Sequence, residues 1–255
     1  MISKYIETSI LAIIQGISEF IPVSSSAHLI IVSKISDFSV SSLQLDISLH
    51  TGSLLAIIFY FRKDLLNIFN NKSLSLLIIL GSVPLILVGY IFFTSGIIES
   101  LRNLKTIAWT TLIFGILLFI ADRTKVKNKI DNHLNFKNIL IIGMFQILAI
   151  IPGVSRSGIT ITASRFLKFD RVESSKISFY LSIPALAGAS TLSFIDIYKT
   201  NIELNFIFLF AVIFSFITSY LTIKYFLVYV KNFNLNLFVY YRTFLALILL
   251  IFAYT

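Results

Sequence analysis

Near its N-terminus the chain reads Gln15-Gly-Ile-Ser-Glu19-Phe-Ile-Pro22-Val-Ser24-Ser25-Ser26-Ala-His28. This stretch places an amide, a carboxylate, several hydroxyls and an imidazole inside an otherwise apolar region. Polar groups at membrane depth are costly and usually mark a functional site. We therefore expect the stretch to contribute to a binding or catalytic site within a membrane.

A related copy of this stretch lies in the second half of the chain. It reads Gln146-Ile-Leu-Ala-Ile-Ile-Pro152-Gly-Val-Ser155-Arg156-Ser157-Gly-Ile-Thr160. A shift of 131 positions aligns Gln15 with Gln146, Val23 with Val154, Ser24 with Ser155 and Ser26 with Ser157. Two related polar clusters predict one site built from both halves of the chain.

The composition predicts an all-α polytopic membrane protein. The 255 residues are 57% hydrophobic and 13% charged, whereas soluble domains average about 25% charged residues. Six apolar runs have roughly the 20-residue length that spans a bilayer. They cover residues 44–61, 74–94, 104–121, 177–197, 205–230 and 236–254. The absence of cysteine excludes disulfides, thiolate metal sites and cysteine nucleophiles.

Two further apolar regions, 6–35 and 138–168, are interrupted by proline and hydroxyl residues. Each is predicted to form a re-entrant helix-loop-helix pair, which a membrane tolerates where the irregular backbone is buried or lines a cavity. The chain then forms a single integral domain, with repeat one at 1–121, a basic linker at 122–137 and repeat two at 138–255. Three spans between the pairs invert the second repeat relative to the first.

Charge predicts the orientation. The net charge of +9 is concentrated in loops on one predicted side of the membrane, which makes topology rather than nucleic-acid binding its cause. That side carries Arg62, Lys63, Lys72, Arg123, Lys125, Lys127, Lys129, Lys137, Lys168, Arg171, Lys176 and Lys231. The opposite side carries Lys4, Lys34, Arg102, Lys105 and Lys199. The positive-inside rule therefore places both termini outside.

The polar residues suit phosphoryl transfer. Gln15 and Glu19 are four residues apart and share a helix face, where their oxygens could hold Mg²⁺ or Ca²⁺. Arg156 lies at a helix break between Ser155 and Ser157, which provides guanidinium and backbone donors for a phosphate. Positioning and charge neutralisation carry most of the catalysis in such reactions.

Four other polar residues are weaker candidates. Asp46 and His50 lie near the end of the first span, where an interfacial position is the favoured interpretation. Arg242 lies inside the last span and is either a second phosphate clamp or the partner of a carboxylate. Arg165 is near the end of its segment, so we expect its side chain to reach the interface.

The motifs resemble those of the undecaprenyl-diphosphate phosphatase family, the bacitracin-resistance membrane proteins. The resemblance rests on Gln15 to Glu19, Pro22 to His28, Pro152 to Thr160, Leu49 to Ala56 and Ser178 to Ala185, and it runs over nearly the whole chain. It implies removal of the terminal phosphate of C55 isoprenyl pyrophosphate at the outer face of the bacterial cytoplasmic (inner) membrane. The product recycles as carrier lipid for peptidoglycan synthesis, and the activity confers bacitracin resistance.

The resemblance also implies residue roles. Glu19 matches a metal-binding carboxylate, Ser25 a nucleophile or phosphate-contacting serine, and His28 an acid/base. Phosphate binding is expected from Arg156, Ser24, Ser26, Ser155, Ser157, Thr160 and Arg242. Gln15 stands where many members carry Glu, which puts a two-carboxylate metal site in doubt. Ser26-Ala27 replaces the commoner Thr-Gly.

A different class of function stays open at this point. Inverted repeats with re-entrant hairpins are typical of carriers, so a transporter or lipid-phosphate flippase without hydrolysis is the alternative. We expect an isoprenyl pyrophosphate and the bilayer as partners, and no nucleic acid. The sequence leaves open the oligomeric state (a homodimer included), the metal, the chain-length preference, and a phosphoserine intermediate versus direct attack by water.

Overall fold

The fold is that of a computed structural model, which describes residues 2–25, 27–28, 31–32, 43–70, 72–126, 128–199 and 206–255. Regular structure in these residues is helical, apart from one isolated bridge between Asn128 and Phe169. The helices are α1 (Ile2–Ser18), α2 (Leu43–Tyr60), α3 (Arg62–Asn70), α4 (Lys72–Thr94), α5 (Ile97–Leu101), α6 (Leu104–Asp122), α7 (Ile130–His133), α8 (Phe136–Ile147), α9 (Arg156–Phe166), α10 (Arg171–Lys199), α11 (Phe206–Asn232) and α12 (Asn236–Tyr254).

The predicted all-α multi-pass membrane fold is confirmed at this level. Each predicted span falls on one helix, and four helices are long and apolar enough to cross a bilayer: α4, α6, α11 and α12. Helix α2 has a shorter apolar stretch, at Leu45–Tyr60. Helix α10 contains four buried serines that lower its hydropathy: Ser174, Ser175, Ser178 and Ser182. The arrangement of six spans and two re-entrant pairs stays a prediction.

The helices break where the sequence predicts. After α1 the chain turns through residues 19–24, and residues 25, 27, 28, 31 and 32 are again helical. After α8 a 3₁₀ turn (Leu148–Ile150) leads into residues 151–155 and then α9. Ser24 and Ser155, which the sequence shift aligns, have positive φ angles of 78° and 69°. Such angles cost a non-glycine residue about 1–3 kcal/mol and are concentrated at functional sites.

Helix packing brings the two halves together. Helix α1 packs on α11, α8 packs on α4, and α6 packs on both α9 and α12. Small residues permit the close approaches. A Cβ atom on Gly16 would lie 2.2 Å from Thr218 Oγ1, and one on Gly143 would lie 2.4 Å from the Gly81 carbonyl oxygen.

An aromatic cluster fixes the first break against α10. The rings of Phe20 and Phe179 meet edge to face with centroids 5.5 Å apart, and Phe61 lies 5.2 Å from Tyr180 in the same way. Phe20 and Phe179 are fully buried. Edge-to-face pairs add about 0.5–1.5 kcal/mol beyond the burial of their area. The residue that precedes Phe20 is Glu19, so this packing positions its carboxylate.

A buried ion network ties the end of α9 to the rest of the fold. Arg165 Nε lies 3.3 Å from Asp122 Oδ1, and the two side chains are 2% and 3% exposed. Arg171 donates to both oxygens of Asp122, at 2.8 and 3.0 Å. The Leu235 backbone N–H donates to the same carboxylate at 3.0 Å. Arg165 is thus buried and paired with Asp122, whereas the sequence predicted that its side chain would reach the membrane interface. That prediction was wrong because Asp122 lies beside the buried guanidinium, whose terminal nitrogens donate to the carbonyls of Phe169, Asp122 and Thr124.

Candidate functional site

A buried ion pair joins the two helix breaks. Arg156 Nη2 donates to Glu19 Oε1 at 2.9 Å, and the two side chains are 13% and 9% exposed. Glu19 belongs to the first break, and Arg156 is the first residue of α9. The structure therefore brings together the carboxylate and the guanidinium that the sequence assigned to one site. Hydrogen-bonded pairs of this kind are among the stronger polar contacts in proteins.

The amide of Gln15 connects this pair to His50. Gln15 Nε2 lies 2.9 Å from Glu19 Oε2 and 3.0 Å from His50 Nδ1, so its two protons have acceptors when His50 carries its proton on Nε2. His50 Nδ1 is also 3.9 Å from Glu19 Oε2. The sequence favoured an interfacial position for His50. The available signal was its place in the segment Leu49 to Ala56, which is one of the family-like stretches.

Arg156 also contacts α10, at Ser178. Its Nη1 donates to the Ser178 carbonyl oxygen at 3.2 Å. Thr160 Oγ1 lies 2.7 Å from Ser178 Oγ, and both residues are fully buried. Ser178 was not among the predicted site residues, although it begins another family-like segment. Thr160, which was among them, lies one turn from Arg156 on the same face of α9.

Two predicted serines organise the N-terminus of α9. Ser155 is the N-cap residue, and its Oγ accepts from the Gly158 N–H at 3.2 Å. Ser157 Oγ donates to the Ile21 carbonyl oxygen at 3.0 Å and lies 3.2 Å from Ser155 Oγ. Ser157 is thus a second link between the two breaks. The first N–H groups of a helix and its dipole favour an anion at this end.

His28 lies in a separate set of contacts. Its Nδ1 is 2.6 Å from the Ser24 carbonyl oxygen, and its Nε2 is 2.7 Å from the Tyr241 hydroxyl of α12. Ser24 is buried, and Ser25 is half-buried at the start of the returning helical residues. Ser26 lies outside the described residues. Tyr241 was not among the sequence candidates. Nothing in the sequence of the last span distinguishes this tyrosine from the other aromatic residues there.

All three nitrogens of the Arg242 guanidinium donate to backbone carbonyls. It donates from Nε to Thr111 at 3.2 Å, from Nη2 to Gly153 at 3.0 Å, and from both terminal nitrogens to Val154 at 3.1 Å. The side chain is fully buried. These bonds stabilise the second break. They favour neither of the predicted roles, a phosphate clamp or the partner of a carboxylate.

The donors near Glu19 fit a divalent cation whose coordination a substrate completes. The described residues contain no cluster of three or more His, Cys, Asp or Glu side chains able to hold a metal. Mg²⁺ is usually bound through one or two carboxylates plus substrate phosphates rather than in an all-protein cage. Glu19 and the amide oxygen of Gln15 are the ligands that the protein could offer here. The amide would have to turn, because its nitrogen now faces Glu19.

An apolar cavity of about 420 Å³ adjoins the first break, between α1 and α12. Its polar edge is formed by Ser18, His28 and Tyr241. The remaining walls are Ile13, Ile14, Ile17, Ile21, Val23, Leu237 and Phe238. Its volume lies within the range of about 300–1,000 Å³ that is usual for ligand sites. An apolar chain attached to a polar head bound at the break would fit its chemistry.

Comparison with known proteins gives consistent matches over the whole chain. The family described as Bacitracin resistance protein BacA matches residues 8–248. The undecaprenyl-diphosphatase of Pelagibacter ubique (strain HTCC1062) is 55% identical over 255 residues, which is 100% of both chains. The undecaprenyl-diphosphatase of Thermodesulfovibrio yellowstonii is 42% identical over 94% of both chains. That of Alteromonas mediterranea is 36% identical over 97% of this chain and 98% of its own.

Proposed function

The chain belongs to the bacitracin resistance protein BacA family, and from this premise we propose that it is an undecaprenyl-diphosphatase. It hydrolyses C55 isoprenyl pyrophosphate to the monophosphate and inorganic phosphate. The observation that carries the proposal is the ion pair of Glu19 and Arg156, which joins the two breaks at 2.9 Å. A carboxylate and an arginine held together at membrane depth match the needs of a diphosphate head group on a lipid.

Arg156 is the phosphate ligand in this proposal. When the substrate binds, a phosphate oxygen replaces Glu19 on the Arg156 guanidinium, and the N-terminus of α9 faces the same charge. Arginine stabilises the charge of a phosphoryl transition state well because its planar fork matches phosphate geometry. Glu19 is thereby released. With Gln15 it would hold Mg²⁺ or Ca²⁺, which supplies neutralisation of the diphosphate oxygens.

The nucleophile is Ser25 Oγ or a water molecule for which His28 is the base. Ser25 is half-buried at the start of the returning helical residues, three residues before His28. Rapid quenching after mixing with a substrate labelled at the terminal phosphate separates the two routes. A labelled protein that disappears in Ser25→Ala supports the serine. Unlabelled wild-type protein during turnover supports water.

The helix pairs support the inverted repeat. In the inverted repeat, α1 corresponds to α8 and α11 corresponds to α4. The close packing of α1 on α11 is therefore matched by that of α8 on α4. In this arrangement the protein crosses the bacterial cytoplasmic membrane with both termini outside, and the site opens to the outer face. The first isoprene units lie in the apolar cavity beside His28. Activity at that face recycles the carrier lipid and confers bacitracin resistance.

Phosphate release from purified protein in detergent tests the function. The assay uses C15 and C55 isoprenyl pyrophosphates in Mg²⁺ and Ca²⁺ series, with EDTA as the metal-free arm. We expect wild-type protein to release phosphate and Arg156→Ala and Glu19→Ala to lose nearly all activity. Arg62→Ala, which changes an exposed arginine, is the matched control and should be fully active.

Two outcomes would contradict the proposal. Near-normal turnover in either site variant would remove the proposed site. No phosphate release by folded wild-type protein under any condition would instead favour the carrier, since a flippase moves the lipid without cleaving it.

A further inference from the structure

We infer that Tyr241 is a positioning residue for the reaction, which holds the His28 imidazole in one orientation through its hydroxyl group. The inference rests on the proposed hydrolytic function and assigns a role to a residue of α12, far in sequence from both motifs. It follows from the hydrogen-bonding capacity of the two nitrogens of His28.

The contacts of His28 determine where its proton lies. The Ser24 carbonyl oxygen, 2.6 Å from Nδ1, can only accept a hydrogen bond, so Nδ1 carries a proton. In the neutral imidazole, Nε2 then has the lone pair and accepts from the Tyr241 hydroxyl at 2.7 Å. The two rings are nearly parallel, at 7° with centroids 5.6 Å apart. Nε2 therefore carries the only lone pair of the imidazole, and the Tyr241 hydroxyl occupies and orients it until the nucleophile replaces that hydroxyl as the hydrogen-bond donor.

The surroundings position both partners of this hydrogen bond. His28 and Tyr241 both line the apolar cavity between α1 and α12. The carbonyl that accepts from Nδ1 is also fixed in place, because Ser24 is buried and has a φ of 78°. The imidazole is thus held from both sides, by a carbonyl of the first break and by a hydroxyl of α12.

Helix α12 reaches both breaks with consecutive residues. Tyr241 contacts His28, which follows the first break, and Arg242 donates to the Gly153 and Val154 carbonyls of the second. Successive side chains on a helix point about 100° apart, so one turn of α12 can face two neighbours. The position of His28 relative to the second break is therefore set through α12 as well as through the Glu19–Arg156 pair.

Removal of one hydroxyl group tests the inference. In Tyr241→Phe we expect kcat to fall about tenfold while KM stays within about twofold, because one oriented hydrogen bond is lost and the ring remains. Tyr240→Phe is the matched control, since Tyr240 is the neighbouring tyrosine and is 64% exposed. It should keep wild-type kinetics.

A double variant separates positioning from general damage. In a His28→Gln background, Tyr241→Phe should cause no further loss, because its effect acts through the imidazole. An unchanged kcat in Tyr241→Phe would overturn the inference. So would the same fold loss with and without His28.

Nuclear magnetic resonance of protein with ¹⁵N-labelled histidine gives a readout besides activity. The His28 signals, identified by their absence in His28→Gln, should show a protonated Nδ1 and an Nε2 that accepts a hydrogen bond. In Tyr241→Phe the Nε2 signal should move to the frequency of a free lone pair. A protonated Nε2 in neutral wild-type His28 would overturn the inference. Wild-type protein with the expected signals but no phosphate release would instead refute the proposed function.

Discussion

The two helix breaks are related in sequence but differ in what holds their backbone. In the second break, Thr110 donates to the Pro152 carbonyl at 2.6 Å, and Arg242 donates to the next two carbonyls, those of Gly153 and Val154. In the first break, the Ile21 carbonyl accepts from Ser157 and the Ser24 carbonyl from His28.

This difference gives the two breaks different roles. The donors to the second break come from α6 and α12 and belong to neither motif, so this break is held by the scaffold and presents Arg156 on a fixed support. The donors to the first break are themselves proposed site residues. Binding of a diphosphate to those residues would therefore change what holds the first break, and hardly affect the second.

The largest expected effect is on the anchor at the other end of α9. Asp122→Ala would leave Arg165 buried without its carboxylate, and breaking such a pair costs about 3–5 kcal/mol. We expect a large fall in the unfolding midpoint in detergent, with activity lost in parallel. Asp131→Ala, which removes an exposed carboxylate of α7, is the control. A midpoint as high as that of the control would mean that α9 is not held from this end.

The next effect separates scaffold from substrate contact at Arg242. Arg242→Met would remove both donors to the Val154 carbonyl, and a buried carbonyl without a partner costs about 1–3 kcal/mol. We expect a lower unfolding midpoint and a lower kcat. Arg242→Lys should recover only part of the stability, because an ammonium group cannot replace the fork. A raised KM at an unchanged midpoint would instead restore the phosphate clamp that the sequence predicted.

Much of the fold could be predicted because its signals are local. Span length, the positions of the breaks and the pairing of Glu19 with Arg156 follow from apolar runs, from proline and hydroxyl placement, and from the repeat. The orientation in the membrane, the inverted arrangement and the metal stay predictions.

The remaining site residues depend on packing between distant segments. His50 joins the site because α2 packs beside α1. In the sequence alone, its position near the end of a span is typical of an interfacial residue. Tyr241 approaches His28 across 213 positions of sequence, and no periodicity signals such a pair. The sequence marks Arg242 as unusual. Its partners are backbone carbonyls, however, and their positions depend on the folded conformation of the second break.

A smaller effect is expected from the hydroxyl that joins the breaks. Ser157→Ala removes the donor to the Ile21 carbonyl, a hydrogen bond worth about 1 kcal/mol net. If the first break is held by site residues, KM for C55 isoprenyl pyrophosphate should rise severalfold with little change in the unfolding midpoint. Ser164→Ala is the control, because Ser164 is also buried on α9 but bonds within its own helix, to the Thr160 carbonyl. Equal kinetics in the two variants would argue against the link.

The smallest change in structure replaces the amide of Gln15 by a carboxylate. In Gln15→Glu a second carboxylate would stand beside Glu19 in place of an amide that now donates to it at 2.9 Å. Like charges so close repel unless a proton or a cation lies between them, and added ligand charge tightens divalent-ion binding. We therefore expect the half-saturating Mg²⁺ concentration to fall severalfold, with kcat at saturating Mg²⁺ nearly unchanged and a lower unfolding midpoint in EDTA. Titration of activity with Mg²⁺ decides the matter, with Gln15→Ala as the control that removes a ligand without adding charge. An unaltered metal dependence in Gln15→Glu would mean that no cation binds between these side chains, and that the first break contributes to phosphate transfer through Glu19 and His28 alone.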